Sequence, residues 1–193
     1  MNRSVAFPAR IDTPRLELRG YCPAEVDDIF AMIDRNRELL TQNFAPLAKS
    51  LFHAADVANY VRDSADKWNT GKEFTFGIWQ KSTAQLVGQI KVKSIVWEVP
   101  AAELSYFVDA ASQRRGNASE AICAILRSAF DELHFRRICL RIIASNARSL
   151  LLAKKLGFRY EGICKNAFRC GFDLVHDVHY YALADSDGRL GVD

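Results

Sequence analysis

The sequence has little of what would tie it to a membrane, a metal or a nucleic acid. No apolar run approaches the roughly 18–20 residues that cross a bilayer. Met1 to Arg10 lacks the apolar core of a secretory signal, so a cytoplasmic location is expected. The five cysteines, Cys22, Cys123, Cys139, Cys164 and Cys170, are odd in number, scattered and never spaced C-x-x-C. That argues against a disulfide framework or a zinc knuckle. Among the four histidines, His176 and His179 lie three apart in a segment that reads as a strand, which turns them to opposite faces. No metal is expected. A net charge of +3 is too small to argue for nucleic acid, and no pattern of interleaved aromatic and basic residues supports base stacking. Neither G-x-x-x-x-G-K-[ST] nor G-x-G-x-x-G occurs, which argues against a P-loop and a dinucleotide fold. There is no internal repeat and no low-complexity stretch.

What remains is ordinary globular material. The chain has 193 residues, 49% of them hydrophobic, which suits one domain with a sizeable core. Leu16 and Leu18 alternate with charge, as in a half-buried strand. Pro23 followed by Val26, Ile29, Phe30 and Ile33 predicts a helix, and Ala54 to Trp68 a second. Arg37 to Phe44, between them, is poorly periodic. Phe74 to Trp79 and Leu86 to Val96 predict an antiparallel hairpin, and Ala102 to Val108 a third strand. Ala118, Ala121, Ile122, Ile125, Ala129, Phe130 and Leu133 carry the stripe of a buried helix, with Cys123 and Cys139 as small core residues. Arg137 to Ile143 predicts a strand, Ala147 to Leu156 a helix stopped by Gly157, and Phe158 to Cys164 and Val175 to Leu183 two final strands. The expected class is α/β with a mixed, mostly antiparallel sheet flanked by helices. One domain spans residues 1–185, with a polar C-terminal tail over 186–193.

The segment with chemistry in it is Gln113-Arg-Arg-Gly-Asn-Ala-Ser119, between a strand and the strongest helix. A helix N-terminus exposes amides without intrahelical partners, and the macrodipole adds partial positive charge. Such a terminus accepts anions. Gly116 removes a Cβ so that a phosphate can approach the backbone, Ala118 is small for the same reason, and Arg114 and Arg115 add charge. Two readings stand side by side: a helix-capped anion site, or a glycine that serves a tight turn.

Gln113-Arg-Arg-Gly-Asn-Ala118 resembles the Q/R-x-x-G-x-G/A signature of the GNAT acetyltransferases. Asn146-Ala-Arg-Ser149, Lys155-Leu-Gly-Phe158 and Tyr160-Glu-Gly162 are similar to the second half of that family. Thr13 to Arg19 and Asp173 to Tyr181 resemble its RimJ/RimL-type branch, the N-terminal acetyltransferases of ribosomal proteins. The resemblance runs in order along almost the whole chain. It implies a GNAT fold whose two central strands splay, with acetyl-CoA as co-substrate in the gap. The pantetheine arm would lie along Phe107 and Val108, and the pyrophosphate on backbone amides of Gln113, Arg114, Arg115, Gly116, Asn117, Ala118 and Ser119. Asn146 and Ser149 would stand at the thiol end, and Lys155 would reach phosphate or remain a solvated helix lysine. A backbone N–H near Val108 would serve as oxyanion donor.

For the chemistry, the resemblance makes Ser149 the candidate to protonate or hydrogen-bond the departing sulfur, or else a simple helix cap. Glu103 is the candidate general base or else an edge charge, with Glu161 and Asp177 as weaker alternatives. Arg37, Leu39, Leu40, Asn43 and Phe44 would wall the acceptor cleft. Deprotonation at pH 7 costs about 1.1 kcal/mol for an α-amine and about 4.6 kcal/mol for a lysine. One modest carboxylate therefore suits a protein N-terminal α-amine, by direct transfer in a ternary complex. A small-molecule amine, a non-catalytic acyl-CoA-binding module and a basic RNA-associated protein are the rival readings. The sequence leaves monomer or homodimer open.

Overall fold

The computed structural model describes residues 7–187. Two short strands come first, β1 (Arg10–Asp12) and β2 (Leu16–Arg19), with Leu16 and Leu18 fully buried. Pro23 opens a 3-10 turn that leads into α1 (Val26–Arg35), where Ile29, Met32 and Ile33 form the buried stripe. Two further helices follow, α2 (Arg37–Asn43) and α3 (Ala45–Ser50), in the stretch that sequence periodicity left structureless. Seven and six residues are too few for a 3.6-residue period to show. Tertiary bonds hold them: the Arg37 guanidinium donates to the carbonyls of Ala48 (3.2 Å) and Leu51 (3.0 Å). Next comes α4 (Ala54–Asn69), whose Asp56 carboxylate accepts from the amides of Phe52 (3.1 Å) and His53 (2.8 Å) at its start.

The rest of the sheet is β3 (Phe74–Gln80), β4 (Gln85–Val96), β5 (Ala101–Val108), β6 (Arg137–Ile143), β7 (Arg159–Arg169) and β8 (Val175–Ala184). Strand order is β1-β2-β3-β4-β5-β6-β8-β7, antiparallel except for β5 against β6. That parallel pair needs a crossover, which α5 (Asn117–Arg127) supplies. The helix ends six residues short of the predicted stripe in a π turn, Ser128–Glu132. Finally α6 (Ala147–Lys155) precedes β7, and Gly157 stops it with φ of 81°.

Helices cover both faces. Phe74, Phe76 and Ile78 pack toward α5, while α1 and α4 cover Trp79, Leu86 and Phe107 on the other side. This makes β3 buried on both faces. Of the two cysteines expected in the core, Cys123 is buried, but Cys139 is only partly buried. In the expected tail, Asp185–Asp187 form a 3-10 turn: the Ala184 amide donates to Asp187 (2.9 Å), which also pairs with Arg159 (2.8 Å). Residues 188–193 of that tail lie outside the described residues. Among the described residues no helix is long and apolar enough to cross a membrane.

Candidate active site

The site begins where the sheet fails to close. Strands β5 and β6 pair only at Ala101–Arg137, Ala102–Ile138 and Glu103–Cys139, and then part. The Asp109 amide donates to Val87 on β4 (2.9 Å). Backbone groups alternate along a strand, so Phe107 also bonds toward β4, while Tyr106 and Val108 turn their N–H and C=O groups into the gap. Gln113 takes up the Val108 carbonyl through its side-chain amide (3.0 Å) and is itself held by Arg148. The Val108 N–H and both Tyr106 backbone groups therefore line an open strand edge, which fits the amides of a pantetheine arm. Phe107 contributes its ring, which packs against Phe44 at 5.8 Å between centroids.

At the upper end of the gap lies the N-terminus of α5. Arg114 (φ 60°) and Gly116 (φ 81°) both adopt left-handed backbone, which turns the chain into the helix. The first helical bond is Glu120 N–H to Gly116 carbonyl (3.0 Å), leaving the amides of Asn117, Ala118 and Ser119 without a backbone partner. The loop is pinned from behind: Arg15 donates to the Arg115 carbonyl (2.6 Å) and pairs with Glu120 (2.6 Å), which also accepts from Thr13 (2.6 Å). Burial raises the Glu120 pKa, but these donors outweigh it and hold the carboxyl below its ordinary value. The buried Asn117 side chain donates to the Ser112 carbonyl (3.1 Å), so its part is to shape the loop. A cavity of about 380 Å³ opens here, lined by Gln113, Arg114, Gly116 to Ser119, and Lys155 from α6. The Arg115 side chain does not line it.

A second cavity of about 700 Å³ lies on the other side of the gap, lined by residues of β4, β5 and β6. Asn43, Phe44, Tyr106, Phe107, Asn146 and Ser149 line both cavities, so the two meet at the splay. Asn146 caps α6 by accepting from the Ser149 amide (3.1 Å) and donates to Asn43 on α2 (3.0 Å). Those contacts leave the Ser149 hydroxyl free at the junction. Facing it is Tyr106, whose buried hydroxyl has no partner at hydrogen-bonding geometry. Burial pushes the Tyr106 pKa up, with Ser149 acting weakly the other way, so the hydroxyl stays protonated.

The remaining candidates are spread more widely. Glu103 lines the larger cavity, paired with Lys93 (3.0 Å) and 3.9 Å from Arg141. It stands three residues before Tyr106, about 10 Å along the strand. Glu161 is bound by Arg137, and Asp177 by Lys165 (2.9 Å) and the Asn166 amide (3.0 Å). These partners hold both carboxyls below their ordinary values. Neither residue lines either of these two cavities. Of the expected acceptor wall, Leu39, Asn43 and Phe44 line the site, while Leu40 is core and Arg37 braces α3.

Tyr106 is the residue that sequence reasoning missed. Its place on a strand face was legible, but its hydroxyl is left bare only by the splay. Gln89 was missed too. It is buried and accepts from Tyr21 (3.0 Å) and Tyr60 (2.7 Å), fixing the inner wall of the larger cavity.

The comparisons agree with this geometry. A family model described as an acetyltransferase (GNAT) domain matches residues 15–159. The probable N-acetyltransferase YjcK of Bacillus subtilis is 26% identical over 147 residues, 74% of this chain and 81% of that protein. The ribosomal-protein-serine acetyltransferase of Escherichia coli is 26% identical over 169 residues, 86% and 91% of the two chains. Among solved structures, the ribosomal alpha-N-protein acetyltransferase RimL in complex with coenzyme A superposes with a TM-score of 0.85 at 22% identity, covering 91% of this chain and 97% of that one. The splayed strands, the open helix N-terminus and these matches lead to one conclusion: the chain belongs to the GNAT acetyltransferase family and is an acetyl-CoA-dependent N-acetyltransferase.

Proposed function

We propose that this enzyme acetylates the N-terminal α-amine of a protein in the cytoplasm. The observation that carries the reading is the larger cavity. At about 700 Å³ it lies in the upper part of the range of small-molecule sites, open and floored by charged side chains, which suits several residues of an extended chain. The relative in Escherichia coli whose name specifies a ribosomal-protein serine supports the same acceptor class.

Acetyl-CoA supplies an activated acyl group whose carbonyl carbon accepts the amine. The amides of Asn117, Ala118 and Ser119, with Arg114 and Lys155, hold its phosphates. The free edge of Tyr106 and Val108 aligns the pantetheine arm. The Val108 N–H donates to the thioester carbonyl oxygen as negative charge develops there. The amine nitrogen forms its bond to carbon as the carbon–sulfur bond breaks, and Ser149, backed by Tyr106, delivers a proton to the departing sulfur. The surplus proton on nitrogen leaves through water on the Glu103 side, and the Ser149–Tyr106 pair regains one proton from water.

An α-amine needs little help to lose its first proton. With a serine-initiated peptide, kcat/KM should therefore rise with a slope of one up to about pH 7.8 and then level, following the amine itself. Glu103→Gln should cost about tenfold or less, because a proton relayed over roughly 10 Å is not the main barrier. Free-N-terminal peptides against lysine-only, N-blocked peptides test the acceptor directly. Transfer to the blocked series alone would overturn the reading.

A further inference from the structure

Four cations and three carboxylates line the acceptor cavity, and their pairing leaves one cation over. Asp63 holds Lys67 at 2.7 Å, Glu73 holds Lys91 at 2.8 Å and Glu103 holds Lys93 at 3.0 Å. Arg141 comes no nearer than 3.9 Å to Glu103, and that carboxylate is already engaged. Among the described residues, Arg141 is the one charged group of this cavity without a hydrogen-bonded partner. Its side chain is 42% exposed, on β6 two residues past Cys139, the last residue of β6 paired with β5, where the strands have begun to part. The Tyr180 ring on β8, 5.6 Å from the guanidinium carbon, flanks it. A guanidinium fixed beside an aromatic face, with its donors unspent, takes a carboxylate in bidentate fashion.

We infer that Arg141 reads an acidic side chain of the acceptor, at the second or third residue of the peptide whose α-amine reacts. The inference rests on the protein N-terminal reading and narrows it. Amine and thioester meet at the level of Tyr106 and Ser149. The Arg141 backbone is level with Ser105, one residue away, and its guanidinium reaches back to 3.9 Å from Glu103. It therefore stands about 3–10 Å along the strand from the reacting amine. An extended peptide advances about 3.3 Å per residue, so its second or third side chain comes level with the guanidinium. The three satisfied ion pairs around it give a lysine at that position no free carboxylate, while Arg141 repels it.

The test uses free-N-terminal hexapeptides with glutamate, glutamine or lysine at positions two and three, and follows release of free coenzyme A. Wild type should prefer glutamate over lysine in kcat/KM by at least about tenfold, the effect of one charge-assisted hydrogen bond. Arg141→Gln should erase the preference and Arg141→Glu reverse it, with unchanged KM for acetyl-CoA and an unchanged melting temperature. A purely structural role would lower all three peptides together. Equal rates on the three peptides in wild type, or a preference that survives Arg141→Gln, overturns the inference while the N-terminal reading stands. No transfer to any peptide by a protein that still binds acetyl-CoA overturns both.

Discussion

Replacing Gly116 by glutamate should abolish acetyl-CoA binding in a chain that remains folded. Two effects act together. The φ of 81° suits glycine, and any other residue there costs about 1–2 kcal/mol. The new Cβ would lie 3.1 Å from Arg15 Nη2, which the Glu120 ion pair holds, so the guanidinium must give by a few tenths of an ångström. The larger effect is electrostatic. Two unit charges 4 Å apart interact by about 4 kcal/mol at an effective dielectric of 20, roughly a thousandfold in affinity. Titration calorimetry reads this loss.

Ser119→Asp separates binding from folding. In the first turn of α5 an acidic residue favours the helix by about 0.3–1 kcal/mol, so the melting temperature should hold or rise while affinity falls by about 100-fold or more. S-acetyl-pantetheine, which lacks the phosphates, should react equally well with all three proteins. If either variant bound acetyl-CoA within about threefold of wild type, the phosphates would not rest on these amides.

That a candidate anion site could be placed on Gln113 to Ser119 from sequence has a physical reason. A phosphate held by consecutive amides at a helix start needs only local features: a strand end, a glycine, small residues and the onset of a helical stripe. All fall within Gln113 to Ser119. The same locality makes β6, read as Arg137 to Ile143, coincide with the observed strand. What escaped depends on contacts between distant segments. Asn43 meets Asn146 across 103 positions, and Arg15 grips the loop before α5 from 100 positions away. Helices α2 and α3 are too short to announce themselves. Glu103 was legible as a carboxylate on the right strand, but not its engagement by Lys93 and proximity to Arg141, which come from β4 and β6. Periodicity places a side chain on a face. It does not say which strand edge will be left open.

Tyr106→Phe should give an enzyme that is more stable and slower. A buried hydroxyl without a partner costs about 1–3 kcal/mol, and removing it changes no packing. For a chain of this size each kcal/mol raises the melting temperature by about 2–4 °C. The rate should move the opposite way. If the hydroxyl is orphaned because its partner is the sulfur-side serine of the loaded enzyme, kcat should fall by about 100-fold with little change in KM for acetyl-CoA. Ser149→Ala should fall by a similar factor, and the double variant by little more than either, because two hydroxyls passing one proton act as a unit. Additive losses would mean separate roles, and full activity in Tyr106→Phe would reduce the residue to packing. The raised pKa adds a further condition: a tyrosine held protonated by burial keeps its donor above pH 10, so wild-type kcat should show no alkaline fall below that point. A group orphaned in the free protein and satisfied only during the reaction lowers the stability of the fold and raises the rate. Opposite shifts in melting temperature and kcat from one lost oxygen atom distinguish that role from packing.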